Sequence, residues 1–189
     1  MSAQPALGRR IQIVGPSCSG KSTLGEQLAS RLEVPFVELD ALFWKPGWVE
    51  PPAEEFQAKL TAFAAANDAW VMSGQYHRHT STTTWPSLQT VIWLDFPVTV
   101  TVPRIVRRSW SRWRSGELLW GTNTESFFGQ FKLWSRDSLI TYTVVYNRRT
   151  RRRYLDATAD PRWAHIRFIR LRSPLEVATF IADLEPGVG

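Results

Sequence analysis

The octapeptide Gly15-Pro16-Ser17-Cys18-Ser19-Gly20-Lys21-Ser22 constrains this chain more than any other stretch. It satisfies the pattern G-x-x-x-x-G-K-[ST], in which a loop wraps an anionic phosphate group. The spacing has a physical cause. Gly15 and Gly20 permit backbone angles that a β-carbon resists, so the loop bends and turns its N–H groups inward. With the N-terminus of a following helix, those groups form a nest for an anion. Lys21 is expected to reach the β- and γ-phosphates of a nucleotide, and the Ser22 hydroxyl to ligate Mg²⁺.

The flanks supply the required setting. Arg10 to Val14 is a short β-branched run suited to a buried strand. Beyond the loop, Leu24, Leu28 and Leu32 recur at helical spacing on one face. Strand, loop and helix therefore follow in order.

A chain of 189 residues with 43% hydrophobic content is the size of one α/β domain with a sizeable core. No apolar run approaches the ~20 residues that span a bilayer, and Met1 to Gly8 lacks a secretory apolar region. A single cysteine excludes an intrachain disulfide and a cysteine-based zinc site. A cytoplasmic protein is the default expectation. The net charge of +6 points to an anionic partner. It is concentrated in two groups: Arg104, Arg107, Arg108, Arg112 and Arg114, then Arg148, Arg149, Arg151, Arg152 and Arg153.

Further strands are expected over 34–39, 69–72, 90–94 and 165–171. Helices are expected over 53–66, from near Pro103 (in a first turn) to Arg114, over 139–146, and from Ser173-Pro174-Leu175-Glu176, a capping box. Thr122-Asn123-Thr124-Glu125 has the same capping spacing and predicts a helix with Phe127, Phe128, Phe131 and Trp134 on its apolar stripe. Residues 41–49 and 77–84 read as loops, the first aromatic and the second rich in threonine. Strands alternating with helices imply a parallel sheet covered on both faces, with ligands at the strands' C-terminal ends.

The candidate residues fall at those ends. Glu38 and Asp40 leave the second strand, where a carboxylate can hold Mg²⁺ or orient and deprotonate an acceptor hydroxyl; a solvated strand end is the plain alternative. Ser73-Gly74-Gln75-Tyr76 leaves the third strand, where an acid beside the metal is common in loops of this kind, and Ser73 is not an acid. Asp95 after the fourth strand is a substitute candidate. Arg104, Arg107 and Arg108 share a helix face and suit a transferring phosphoryl group, or else form a solvated basic face. The denser run Arg148 to Arg153 reads as solvated or facing nucleic acid. Trp44, Trp48 and Tyr76 can stack on an acceptor, although ten tryptophans make core packing the common explanation.

Gly15 to Thr23, Leu39-Asp40-Ala41-Leu42-Phe43-Trp44-Lys45-Pro46-Gly47-Trp48, Trp70 to Tyr76, Val91 to Pro97, Arg104 to Arg108 and Leu171 to Pro174 occur in that order. Together they resemble the adenylate-kinase-related group known as DNA topology modulation (FlaR-like) proteins, over nearly the whole chain. The resemblance implies a P-loop, nucleoside-monophosphate-kinase-like α/β fold: a five-stranded parallel sheet flanked by helices, with a helical lid. It implies one domain over residues 1–189, an acceptor-binding segment at about 40–66 and a lid at about 108–150. The implied nucleotide site is Gly15, Pro16, Ser17, Cys18, Ser19, Gly20, Lys21, Ser22, Thr23, Arg104, Arg108, Arg172 and Ser173. The implied acceptor site is Asp40, Trp44, Trp48, Gly74 and Tyr76; Lys21, Asp40 and Arg108 carry catalysis, and Ser22 holds the metal. The family's third strand ends Asp-Gly-Asn-Tyr, and Ser73-Gly74-Gln75-Tyr76 departs from it. The expected function is transfer of the γ-phosphate of MgATP to a small acceptor, a nucleoside monophosphate or a hydroxylated metabolite. A nucleotide-binding regulator that associates with DNA is the alternative. Neither reading involves a membrane, and oligomeric state stays open.

Overall fold

A computed structural model describes residues 7–116, 118–120, 123–124 and 139–184. Five parallel strands form the central sheet in the order β2-β3-β1-β4-β7. They are β1 (Arg10–Val14), β2 (Phe36–Glu38), β3 (Trp70–Ser73), β4 (Thr90–Leu94) and β7 (Arg167–Leu171). The helices are α1 (Lys21–Leu32), α2 (Leu39–Phe43), α3 (Ala53–Ala66), α4 (His77–Thr83), α5 (Val98–Ser115), α6 (Leu139–Ala159) and α7 (Pro174–Asp183). Two short strands, β5 (Leu118–Leu119) and β6 (Asn123–Thr124), pair antiparallel.

The period-two alternation of the strands sorts side chains into two cores. Ile11, Ile13, Val71, Ile92 and Leu94 face Leu24, Leu28 and Ala29 of α1, with Phe180 and Ile181 of α7 packed alongside. On the other face Trp70, Met72, Val91 and Trp93 meet Phe56 and Leu60 of α3 and Tyr154 and Ala157 of α6. Mid-helix Gly25 has a steric reason, since a β-carbon there would lie 2.3 Å from the Phe36 ring. The absent side chain lets α1 settle against β2, which offsets the ~1 kcal/mol that glycine costs a helix interior.

Several elements differ from the sequence reading. The second strand stops at Glu38, and Asp40 lies in the first turn of α2 rather than at a strand end. Fully buried Leu39 and the packing of Phe43 on Phe56 hold that five-residue helix in place. The threonine-rich stretch is also helical: Thr80 returns its hydroxyl to the Tyr76 carbonyl at 3.2 Å and Thr83 to that of His79 at 2.9 Å. α5 starts at Val98, directly after Pro97, so Pro103 is interior rather than in a first turn. The helix persists because Thr101, Ile105 and Ser109 lie buried along one side of it. Asn123 and Thr124 do not open a helix; they pair extended with Leu119 and Leu118. The rest of that expected helix, with Phe127, Phe128, Phe131 and Trp134, lies outside the described residues. No helix among the described residues is long and apolar enough to cross a membrane.

Candidate active site

The phosphate loop leaves β1, the middle strand, between the ends of β3 and β4. Gly15 has φ 153°, and a β-carbon on it would lie 2.7 Å from the Leu94 carbonyl oxygen. Only glycine allows the loop to pass so close to β4. Gly20 (φ 93°) caps α1 in the left-handed region, and Cys18 adopts φ 58° within the loop. The Ser19 hydroxyl is buried, with the residue 4% exposed, and has no hydrogen-bond partner among the described residues. A buried orphan hydroxyl inside a loop that starts a helix fits an anion such as a phosphate.

Lys21 is half-buried and donates from Nζ to the Pro16 carbonyl at 2.9 Å. Burial lowers its pKa, opposed by the charge of Asp40 and, less strongly, of Cys18 and Glu38; Arg108 adds to the lowering. Arg104 approaches from the same helix, α5, with Nη1 3.5 Å from the Cys18 carbonyl.

Across from the loop, Tyr76 donates its phenolic O–H to Asp40 Oδ1 at 2.5 Å. The tyrosine ring is set by Phe43 and Phe56, with centroids 4.7 and 5.1 Å away. Gly74 (φ 148°) lets β3 end against α2, since its β-carbon would meet that of Leu39 at 2.7 Å. Trp44 and Trp48 stack edge to face at 5.5 Å, and Trp48 meets Trp120 in the same way at 5.9 Å. The indole N–H of Trp120 donates to Glu38 Oε2 at 3.0 Å.

Three contributors escaped the sequence reading. Asn123, 1% exposed, accepts the Trp48 backbone N–H at 2.9 Å and donates to the Lys45 carbonyl at 3.2 Å, tying β6 to the 45–49 loop. Trp120 completes the aromatic wall. Gln12, buried on β1, donates to the Gly74 carbonyl at 3.0 Å and accepts from Trp85 Nε1 at 2.8 Å. A polar residue in an otherwise apolar central strand was the signal for Gln12. Nothing local marked the other two.

Other expected residues have partners of their own. Ser173 caps α7, accepting from the Glu176 N–H at 3.2 Å, while Glu176 accepts the exposed Arg172's backbone N–H at 2.9 Å. Asp95, 5% exposed, is held by Arg170 through Nε at 2.9 Å and by Arg151 of α6 at 2.9 Å. That engagement leaves it poorly placed as a metal ligand. The Arg148 to Arg153 run is thus divided: Arg151 turns to Asp95, while Arg152 and Arg153 stay exposed.

Among the described residues no group of three His, Cys, Asp or Glu side chains is placed to hold a metal. The donor set still suits Mg²⁺, which keeps several waters and needs few protein ligands beside phosphate oxygens. Ser22, in the first turn of α1, would be such a ligand.

No family model matches the chain, and no curated protein matches it. Solved structures do. Shikimate kinase from Bacteroides thetaiotaomicron superposes with a TM-score of 0.53 at 18% identity, covering 93% of this chain and 96% of that one. A sugar kinase from Janibacter sp. gives a TM-score of 0.52 at 18% identity, covering 95% and 96%. The chain has the fold of the P-loop kinases: a five-stranded parallel sheet between helices, with the phosphate loop after the central strand.

Proposed function

We propose that this protein is an ATP-dependent phosphotransferase that moves the γ-phosphate of MgATP to a small acceptor. The observations that carry the reading are the glycine-shaped phosphate loop with its buried, unpartnered Ser19 hydroxyl and the Asp40 carboxylate that the Tyr76 O–H orients. In this reading the loop's N–H groups and the Ser19 hydroxyl cradle the phosphates. Lys21, Arg104 and Arg108 balance negative charge on the transferring group, a task suited to the guanidinium fork. Asp40 orients the acceptor and, where that acceptor is a hydroxylated metabolite, takes the hydroxyl proton; the Tyr76 O–H fixes the carboxylate so that Oδ2 remains for the substrate. Ser22 would hold Mg²⁺, which would supply charge neutralisation when bound with the nucleotide. Trp44, Trp48 and Trp120 wall the acceptor side and exclude water from it.

The acceptor in this reading is a nucleoside monophosphate or a hydroxylated metabolite. The likeness of the 39–48 stretch to the adenylate-kinase-related FlaR-like group supports the first, and the sugar kinase fold relative supports the second. A screen of nucleosides, nucleotides, sugars and polyols for acceptor-dependent ADP formation tests the proposal. ADP above the acceptor-free rate is the expected result; MgATP binding with no acceptor-dependent turnover across the panel would overturn it.

A further inference from the structure

On the wall across from the phosphate loop the side chains form a closed circuit of contacts. Asp40 accepts the Tyr76 O–H at 2.5 Å, and the Tyr76 ring lies 4.7 Å from that of Phe43. Phe43 meets Trp44 at 5.0 Å, Trp44 meets Trp48 at 5.5 Å, and Trp48 meets Trp120 at 5.9 Å. The Trp120 indole N–H donates to Glu38 Oε2 at 3.0 Å, and Glu38 is two residues from Asp40. Two carboxylates and three indoles thus belong to one continuous wall.

Two of those indoles are held at a conformational cost. Trp48 has φ 60° and Trp120 φ 49°, a left-handed backbone that a bulky residue rarely adopts. Buried Asn123 ties the first in place by accepting its backbone N–H at 2.9 Å. Core packing does not account for them: Trp48 and Trp120 keep 39% and 36% of their surface exposed, whereas Trp70 and Trp85 keep none. Strained backbone that presents an open aromatic ring is of the kind that clusters at ligand clamps.

The charge on this wall has one sign. Glu38 and Asp40 each have one oxygen bound by an uncharged donor, while Oε1 and Oδ2 meet no donor among the described residues. The lysines of the adjoining segment are engaged elsewhere, since Lys45 and Lys59 both pair with Glu55, at 2.6 and 3.1 Å. Arg78 of α4 is exposed and makes no hydrogen bond or ion pair with the wall's described residues. Ionised carboxylate oxygens accept hydrogen bonds and cannot donate them, so they bind hydroxyls and repel phosphate or carboxylate groups. On the facing side the positive charges of Lys21 and Arg104 disfavour an ammonium.

We propose, on the premise that the phosphotransferase reading holds, that the acceptor is an uncharged, hydroxyl-rich molecule such as a sugar, polyol or nucleoside. Glu38 Oε1 and Asp40 Oδ2 each accept a hydrogen bond from one of its hydroxyls, and Trp48 and Trp120 pack against its carbon-bearing face. The hydroxyl on Asp40 is the one phosphorylated. Its oxygen bonds to the γ-phosphorus, the bond from that phosphorus to the β,γ-bridging oxygen breaks, the proton passes to Asp40 and ADP leaves. Glu38 is then a specificity-determining residue that turns away anionic relatives of the acceptor by like charge.

Acceptor-dependent ADP formation by the full chain tests this on matched pairs: glucose against glucose 6-phosphate, sorbitol against gluconate, and each nucleoside against its monophosphate. In the pair that is used, the uncharged member should have a kcat/KM at least about tenfold above its anionic counterpart. Glu38→Gln retains an acceptor for the Trp120 N–H and loses the charge. It should narrow that preference severalfold while MgATP affinity, read by calorimetry, is unchanged. A preference for the phosphorylated or carboxylated member would overturn the assignment and leave the phosphotransferase reading standing. So would glucosamine preferred to glucose, or a preference that Glu38→Gln leaves unaltered. Turnover with no member of any pair would overturn both.

Discussion

Between Gly15 and Ser22 the functional groups come from consecutive residues, and many are backbone N–H groups aimed by glycine conformations. The wall opposite is assembled from Glu38 at the end of β2, Asp40 and the 44–48 loop, Tyr76 ahead of α4, and Trp120 and Asn123 around the β5–β6 pair. The two sides therefore tolerate change differently. A backbone cradle persists as long as its glycines and its parent strand do. A wall of side chains drawn from separate elements can be altered one residue at a time.

Substitutions on each side should separate the two roles. The largest effect is expected from Lys21→Ala, with ADP formation falling on the order of 10³-fold, as for loss of a main charge stabiliser, and nucleotide affinity falling with it. Unchanged affinity and rate, measured by calorimetry and a coupled ADP assay, would erase the distinction of a donor side. Asp40→Asn should lower kcat on the order of 10²-fold while the MgATP dissociation constant stays within about twofold; equal loss of both would assign Asp40 to the donor side or to structure. Tyr76→Phe removes one hydrogen bond to a carboxylate, worth about 1.5 kcal/mol or more. It should cost turnover about tenfold with little change in nucleotide binding, and steady-state kinetics would show which parameter moves. Asn123→Ala should raise the acceptor KM by a few fold and speed amide exchange at Trp48, the residue whose N–H it accepts; protected exchange at Trp48 would show that the 45–49 loop holds itself.

The remaining effect is on stability rather than turnover and concerns His77, which is walled by Trp85 and Tyr154 and opposed by Arg153 and Arg162. Burial first, and those arginines second, push its pKa down to about 4 from 6.5. Between those values the unfolded chain takes up a proton that the folded chain refuses. Stability is then full above pH 6.5, falls as pH drops through this window and levels off below about 4. After allowance for solvent screening the contribution is about 1–2 kcal/mol. Melting temperatures from pH 7 to 4 should decline less steeply in His77→Phe; parallel curves would remove His77 as the cause.

Much of this layout was legible in advance. The strand–loop–helix at residues 10–32, the alternation of the inner strands and the Ser173 cap follow from local rules of pattern and turn chemistry. α4 was not legible, because a threonine run has low helix propensity. It is helical through threonine hydroxyls that return to the preceding turn's carbonyls and through burial of Thr80 and Thr84. The Thr122–Glu125 spacing misled because a capping box is a local pattern, and Asn123 spends its amide on the 45–49 loop, a partner distant in sequence. Asp95 shows the converse: a carboxylate at the expected strand end is engaged by Arg151 and Arg170.

The sequence by itself determined the phosphate loop, since its chemistry resides in glycine backbone angles and one lysine spaced within a single turn of chain. Tertiary structure alone decided what faces that loop. Asp40 gains its orientation only when α4 brings the Tyr76 hydroxyl to it, and Trp120 joins the wall only when β5 and β6 pair beside Glu38. Contacts between residues far apart in sequence depend on how helices pack on a sheet, and no local spacing carries that information.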